Sequence, residues 1–215
     1  YTSPTVENCY FIDHYAVYNG SAIYCYNESP VIEVCRFENC RVLSGAGGYG
    51  GAIYAEGVNS DPIIRRSYFE NCRARTGGAI ALYFDASITV ENSIFKNNAA
   101  EIDSWGGAIA SRFASNVVYA TNCVFYANTA AGSGGGVYGY NLILKNCIFR
   151  GNTSPTGAQI RAENSAIISN CCLAGGLAAI SGSYTDNGGY FEFDPLFTDG
   201  ATSDLSPQTG NPSLS

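Results

Sequence analysis

The chain has 215 residues, a formal net charge of −7 and two lysines, Lys96 and Lys145. Such an acidic chain does not favour nucleic acid or an anionic membrane surface as a partner. No stretch reaches the roughly 18 consecutive apolar residues of a membrane span, so no span is predicted. One substantial core fits this length, and the lack of methionine indicates a processed or truncated chain.

Two sequence phrases alternate along the chain and repeat about every 24 to 32 residues. One phrase ends in phenylalanine, and its copies are Glu7–Phe11, Glu33–Phe37, Arg65–Phe69, Glu91–Phe95, Thr121–Phe125, Lys145–Phe149 and the worn Ser169–Leu173. The other is rich in glycine, and its copies begin at Gly20, Gly50, Gly77, Gly106 and Gly135. Self-similarity of this length predicts a stack of structural units that share one core.

Each unit predicts short strands rather than a helix, because β-branched and aromatic runs lie between Gly, Asn, Ser and Pro. About three such strands form one coil of a β-helix. We therefore predict an all-β fold, a single-stranded right-handed parallel β-helix (β-solenoid) of about six to seven coils. Residues 1–181 form the coils, and residues 182–215 are predicted to be an irregular C-terminal wrap of the same domain.

Aligned copies place like residues in columns, which become ladders about 4.8 Å apart in a stack. The phenylalanines and a Val/Ile/Leu column are predicted to fill the core. One bend column is predicted at Asn8, Asn92, Asn122, Asn146 and Asn170, since Asn tolerates turn backbone. A second is predicted at His14, Cys40, Cys72, Asn98, Asn128 and Asn152. The double glycines predict a corner with positive φ or close backbone approach.

Nine cysteines are present, and none forms a CxxC pair of the kind that binds metal. Most belong to a small inward column, where Cys serves as a small hydrophobe. Neighbouring ladder positions are close enough for a disulfide. Cys40 with Cys72 is the favoured pair, Cys9 with Cys35 and Cys123 with Cys147 are alternatives, and free buried thiols are equally consistent with the pattern.

Candidate catalytic residues are few. Asp13-His14 contains the lone histidine, at a bend of a terminal coil, and Asp61, Arg65 and Arg66 share one coil. The column through Arg65 alternates in charge with Glu33 and Glu91, which predicts a surface ion-pair stripe. Since no acid and base pair converges with these groups, we predict no enzyme activity, no metal and no cofactor. A polysaccharide lyase or hydrolase that uses Arg65 and Asp61 is the remaining catalytic alternative.

A stripe of tyrosines follows the glycine phrases. Alternation along these strands predicts that the side chains point outward, at Tyr24, Tyr26, Tyr54, Tyr83, Tyr138 and Tyr140. Exposed tyrosines on a flat sheet offer contact area with a polar tip to sugar rings or to a partner protein. The alternative is that loops from a neighbouring corner cover the stripe.

Three sequons permit N-glycosylation where the source has the machinery, with acceptors at Asn19, Asn27 and Asn152.

The glycine phrase, together with FxxN runs such as Phe95–Asn98, Phe125–Asn128 and Phe149–Asn152, resembles the repeats of the chlamydial polymorphic outer membrane protein family. It is also similar to the wider class of secreted bacterial right-handed parallel β-helix repeat proteins. The tail, Phe193–Asp199 followed by Gly210–Ser213, resembles the C-terminal signature of "choice-of-anchor Q" surface proteins. The resemblance implies a surface-exposed β-helix protein, for which adhesion is the expected role.

Together these features predict a non-catalytic structural or adhesive protein at the cell surface or outside the cell. A β-helix exposes strand edges at both ends, so end-to-end contact with upstream repeats or with other copies of the chain is predicted, and copies joined in this way would form a filament. A glycan-binding module built on the tyrosine stripe is the alternative, with cell-surface glycans as partners.

Overall fold

A computed structural model describes residues 3–43, 48–102 and 104–192 of the chain. These residues form a right-handed parallel β-helix of about six turns, which confirms the predicted fold class. One short 3₁₀ helix, Gly176–Ala179, interrupts the strands. Among the described residues no helix is long and apolar enough to cross a membrane.

Short strands follow one another in chain order. The first half comprises β1 (Thr5–Glu7), β2 (Tyr10–Ile12), β3 (Tyr15–Ala16), β4 (Ile23–Tyr26), β5 (Val31–Glu33), β6 (Arg36–Glu38), β7 (Arg41–Val42), β8 (Ile53–Glu56), β9 (Ile63–Arg65), β10 (Tyr68–Glu70), β11 (Arg73–Ala74) and β12 (Ile80–Tyr83). The second half comprises β13 (Ile88–Glu91), β14 (Ile94–Lys96), β15 (Ala99–Ala100), β16 (Ile109–Ser111), β17 (Val117–Thr121), β18 (Val124–Tyr126), β19 (Thr129–Ala130), β20 (Val137–Lys145), β21 (Ile148–Arg150), β22 (Ile160–Ser169), β23 (Cys172–Leu173) and β24 (Ile180–Asp186).

The strands stack into three parallel sheets. One sheet has seven strands in the order β2-β6-β10-β14-β18-β21-β23, and a second has five in the order β3-β7-β11-β15-β19. The third has twelve strands and begins as two separate stacks, which merge where the long strands β20 and β22 run across both. Because β24 pairs with β22 through Asp186, the regular coils continue past residue 181. Residues 193–215, which include the predicted tail signature, lie outside the described residues.

Stacked phenylalanines form the centre of the core, as predicted. Five consecutive ring pairs lie 4.6–5.0 Å apart between centroids, with interplanar angles of 2–6°. This phenylalanine ladder consists of Phe11, Phe37, Phe69, Phe95, Phe125 and Phe149. The rings stack so closely because parallel pairing in register places each one a single strand spacing above the last.

The first bend column is confirmed, since its residues adopt the left-handed conformation with φ of 51–55° at Asn8, Asn92, Asn122, Asn146 and Asn170. The predicted second bend column is wrong by one residue. The chain turns at the preceding positions, where φ is also positive at Asp13, Asn39, Asn71, Asn97, Ala127 and Gly151. The left-handed residue makes the corner, so the next side chain points inward, and Cys40, Cys72, Asn98, Asn128 and Asn152 are buried. His14 is exposed beside Phe11.

These inward residues continue as a hydrogen-bonded column, the inner asparagine ladder (Asn98, Asn128 and Asn152). Nδ2 of Asn98 donates to Oδ1 of Asn128, and Nδ2 of Asn128 donates to Oδ1 of Asn152, both at 2.9 Å. Gln159 ends the column by accepting from Asn152 at 2.6 Å. Buried amides persist in an apolar core only when they are paired in this way.

The double-glycine corner is confirmed, and its two glycines have different roles. The first adopts positive φ, as at Gly77 with φ 65°. The second allows close approach between coils, because a Cβ on Gly78 would lie 2.1 Å from the carbonyl oxygen of Gly107. No side chain fits at that separation, so glycine is required there.

No disulfide joins any of the nine cysteines in this structure, and all nine lie within the described residues. Cys40 and Cys72 occupy neighbouring coils, and their thiols interact directly. Burial raises the pKa of the Cys72 thiol well above its ordinary value. A disulfide between these two residues stays a prediction.

Candidate functional site

The most distinctive surface is the outer side of the strands that follow the glycine corners, β4, β8, β12, β16 and the start of β20. Parallel pairing in register aligns one outward column along these strands. That column reads Tyr24, Tyr54, Ala81, Ala110 and Tyr138. A second column, two residues further along each strand, begins Tyr26, Glu56 and Tyr83.

The predicted tyrosine stripe is only partly exposed. Tyr24 and Tyr26 are 53% and 62% exposed, whereas Tyr54 is 2% and Tyr138 is 7% exposed. Tyr83 and Tyr140 are half-buried. The prediction that all six form an open stripe is therefore wrong for Tyr54 and Tyr138.

Aromatic rings from the glycine corners cover the buried members of the stripe. The Tyr49 ring lies 6.0 Å from that of Tyr54 and 5.0 Å from that of Tyr83. The Trp105 ring lies 5.6 Å from that of Tyr138. The small side chains of Ala81 and Ala110 leave room in the outward column for these larger rings. The sequence left open the alternative that residues of a neighbouring corner cover the stripe. That alternative is correct for Tyr54 and Tyr138.

The rings continue across the strands to the opposite corner. Tyr83 makes edge-to-face contacts with Phe84 at 4.6 Å and with Phe113 at 4.7 Å. Phe84 is exposed and Phe113 is half-buried. We call the whole surface the aromatic face, and its members are Tyr24, Tyr26, Tyr49, Tyr54, Tyr83, Phe84, Trp105, Phe113 and Tyr138.

Sequence reasoning missed four members of the aromatic face: Tyr49, Phe84, Trp105 and Phe113. All four lie just outside the regular strands, where alternation gives no direction for a side chain. Their aromatic character beside the glycine phrase or at the end of its strand was the available signal.

A carboxylate organises the tyrosine hydroxyls at one end of the face. Glu56 accepts hydrogen bonds from Tyr24 and Tyr54, the latter at 2.8 Å. Burial, together with the hydrogen bond to Glu56, raises the pKa of Tyr24 to about 12. The same two causes raise the pKa of Tyr54 well above its ordinary value. Both phenols therefore stay protonated at neutral pH and act as donors rather than as bases.

A guanidinium occupies the other end of the aromatic face. Arg112 lies 4.3 Å from the ring centroid of Trp105 and 5.5 Å from that of Tyr83. It also donates to the Tyr83 hydroxyl at 3.4 Å. Cation–π contacts of this kind hold the charge against the ring faces. The face thus combines apolar rings with a fixed acceptor and a fixed donor.

Two open cavities border the exposed end of the face. One, of about 380 Å³, is lined by Tyr26, Asn27, Glu56, Gly57 and Phe84. The other, of about 400 Å³, shares Tyr26 and Asn27 and extends to Glu28, Val58 and Asn59. Rings and polar groups line a continuous shallow groove, which is the form that a sugar-binding surface takes.

The three sequons differ in access. Asn152 is buried within the inner asparagine ladder and donates to Gln159, so the prediction that it can accept a glycan is wrong. Asn19 is half-buried, and its Oδ1 accepts from the backbone N–H of Tyr49. Asn27 is exposed and borders the groove.

The candidate catalytic residues Asp61, Arg65 and Arg66 each contact a different partner. Oδ1 of Asp61 accepts from the backbone of Ser87, whereas Arg65 pairs with Glu91 at 2.9 Å. Arg66, which lies outside the column of Arg65, pairs with Glu33 at 2.9 Å, so the predicted ion-pair stripe is present only between Arg65 and Glu91. Within residues 3–43, 48–102 and 104–192, no three His, Cys, Asp or Glu side chains form a group that could hold a metal ion.

Stacked parallel coils with continuous core ladders define this protein as a β-solenoid. The chain belongs to the right-handed beta helix family, because the model for the right-handed beta helix region matches residues 1–118, more than half of the sequence. Comparisons with curated proteins and with solved structures find no match. Family membership concerns the fold, and function lies in the residues displayed on it.

Proposed function

We propose that this chain is a non-catalytic adhesive protein of the cell surface or extracellular space, which binds glycans on the aromatic face. The proposal rests on the rings that contact one another from the exposed Tyr24 to the exposed Phe84, with the exposed Tyr26 lining the same cavity as Phe84. Large exposed aromatic surfaces on soluble proteins mark interaction sites. The resemblance to surface-exposed repeat proteins supports the same class of function.

Polar groups beside the rings favour a sugar over a purely apolar ligand. Tyr26 and Phe84 border the groove, and their ring faces are available to the apolar faces of sugar rings. Glu56 and the Asn27 carboxamide lie between them, where they can bond sugar hydroxyls. The carboxylate favours neutral glycans, because an acidic sugar there would face a like charge.

The non-catalytic part of the proposal is supported by the state of the polar groups. The raised pKa of Tyr24 makes its phenol a poor general base at neutral pH. Asp61 and Arg65 contact different partners and do not converge on one cavity. Release of shortened polysaccharide by the purified chain, lost on Arg65→Ala, would contradict this part.

The binding proposal is tested with glycan arrays, followed by titration of the glycans that bind. The double variant Tyr26→Ala/Phe84→Ala is expected to lower affinity by about tenfold or more, because both exposed rings are lost. Tyr119→Ala removes an exposed tyrosine from the outer side of β17 and serves as the matched control. Its affinity is expected to equal that of the unaltered chain. An intact protein that binds no glycan, or an equal loss in the control, would contradict the proposal.

A second function, end-to-end association, rests on the first coil. Its outer side exposes several large apolar side chains, namely Tyr10, Ile12, Tyr15, Val17 and Tyr18. Core residues of this coil are also incompletely covered, since Cys9 and Phe11 are only half-buried. The edges of β1, β2, β3 and β4 pair on one side alone among the described strands. Unpaired parallel strands above an open core form a template for another coil stack.

We expect the purified chain to form filaments, which electron microscopy at several concentrations would reveal. A subunit of about six turns gives an axial repeat of roughly 29 Å, at about 4.8 Å per turn. Single short rods at every concentration would contradict self-assembly.

A further inference from the structure

A pair of arginines on a different face has no role in the functions proposed above. Arg41 on β7 and Arg73 on β11 are register partners in the five-stranded sheet, with their side chains on its outer side. The backbones of neighbouring strands are separated by about 4.8 Å. Both side chains are nearly half exposed. Two guanidinium groups therefore lie side by side on a protein of net charge −7.

Their charge is only partly balanced by the chain. Glu101 reaches both arginines, at 3.6 Å from Nη2 of Arg41 and 3.4 Å from Nη1 of Arg73. Like charges on directly opposed strand positions are destabilising, and a single carboxylate is shared between the two. Nε of Arg41 is buried and makes no hydrogen bond in the part of the chain that the structure describes. That buried atom is out of reach of a ligand, but Glu101 contacts one terminal nitrogen of each exposed guanidinium, so further N–H donors of both groups remain for an anion.

The two arginines line an open cavity of about 440 Å³, the arginine groove. Its lining residues are Asp13, Tyr15, Asn39, Arg41, Asn71 and Arg73. Asn39 donates to Oδ1 of Asp13 at 3.0 Å, so that carboxylate already has a partner. Tyr15 lies one strand before Arg41 in the same column, and its ring is 62% exposed. The groove therefore presents two arginines, two amides, one ring and, in the first coil, the carboxylate of Asp13.

We propose that the arginine groove binds an acidic sugar of a glycan. The sugar carboxylate would lie against Arg41 and Arg73, whose planar forks match carboxylate geometry. Tyr15 offers a ring face to the sugar, and the amides of Asn39 and Asn71 can bond its hydroxyls. A glycan fits better than an acidic peptide, because polar groups dominate the lining and offer little apolar surface for peptide side chains.

The position of Asp13 sets the orientation of the ligand. A second carboxylate placed near Asp13 would meet a like charge, so the acidic group must lie at the arginine end. None of these residues belongs to the aromatic face. The arginine groove therefore extends the proposed function to a second class of glycan and does not depend on the first.

The test is calorimetric titration of the full chain with a hyaluronan hexasaccharide and with its methyl ester, in low salt. The ester keeps the sugar rings and removes the negative charge. We expect the acid form to bind at least about tenfold more tightly than the ester, because charge-assisted hydrogen bonds are lost in the ester. Arg73→Gln is expected to weaken binding of the acid form by about tenfold.

Arg66→Gln is the charge-matched control, because it removes an exposed arginine that pairs with Glu33 away from the groove. Its affinity is expected to be unchanged. Arg73→Lys keeps the charge but loses the planar fork, and an intermediate affinity is expected. Glu101→Gln removes the competing carboxylate and should tighten binding several-fold, an effect that a structural defect would not produce. Melting curves of each variant establish that the fold is retained.

Four results would overturn the proposal: no binding of the acid form, equal binding of the methyl ester, no effect of Arg73→Gln and Arg73→Lys, or equal binding of poly-glutamate. The last would assign the groove to acidic protein segments. The Tyr26→Ala/Phe84→Ala variant should bind hyaluronan normally, so failure of the arginine groove and failure of the aromatic face are distinguishable.

Discussion

Replacement of Phe95 by alanine is expected to lower the free energy of unfolding by about 3–5 kcal/mol, the range for deleting a buried aromatic side chain. Phe95 is fully buried in the middle of the phenylalanine ladder. Its ring stacks on Phe69 at 4.7 Å and on Phe125 at 5.0 Å. The neighbouring coils are held in register by backbone hydrogen bonds and cannot collapse into the gap, so a cavity remains.

Urea unfolding followed by circular dichroism measures this effect. Phe84→Ala removes the same side chain from an exposed position and is the matched control. We expect the control to change stability by about 1 kcal/mol or less, since exposed substitutions usually have small effects. A Phe95→Ala variant as stable as the control would show that the phenylalanine ladder does not carry the core.

Replacement of Asn128 by alanine is expected to cost about 3 kcal/mol or more, because several buried polar groups lose partners together. Its Oδ1 accepts from the backbone and the side chain of Asn98 at 3.0 and 2.9 Å. Its Nδ2 donates to the carbonyl of Phe95 at 3.0 Å and to Asn152 at 2.9 Å. Each group left unsatisfied in the core costs about 1–3 kcal/mol, with partial relief as the coil relaxes.

A control is available in the outer asparagine column. Asn122 is exposed, adopts φ 55° and donates to Asn92 at 3.1 Å. Asn122→Gly retains the left-handed backbone without strain, and we expect a loss of about 1 kcal/mol or less in urea unfolding. The substitution Asn128→Leu restores side-chain volume without hydrogen bonds. Normal stability after that substitution would show that the position requires volume rather than pairing.

Because the phrases repeat regularly, much of the core can be predicted from the sequence alone. Phe69 and Phe95 occupy the same place in their phrases, and a column of phenylalanines can be buried only by stacking. The first bend at Asn92 and the corner at Gly77 follow for the same reason, since Asn and Gly tolerate positive φ. The second bend is misplaced by one residue, because two adjacent asparagines, Asn97 and Asn98, suit a turn equally well by composition.

The candidate site was only half predictable. Alternation along β4 correctly places Tyr24 and Tyr26 on the outside, where they are exposed. The same rule places Tyr54 outside but cannot tell that Tyr49 from the corner covers it. Whether a side chain points toward or away from the core is set locally by its position in the strand. Whether an outward side chain is then buried depends on residues from other coils.

Local sequence patterns were enough to predict the coil, its period, its core columns and its glycine corners. Each pattern recurs in almost every repeat, and only a stack of coils in register can bury all the apolar columns at once. Which outward residues meet could be learned only from the folded stack. Arg41, Arg73 and Glu101 come from three successive coils, and the register of the stack brings them together. Because loop lengths differ between coils, the sequence spacing of these residues does not show that they are neighbours in the fold. Parallel pairing sets them one strand spacing apart, and that spacing brings their side chains together.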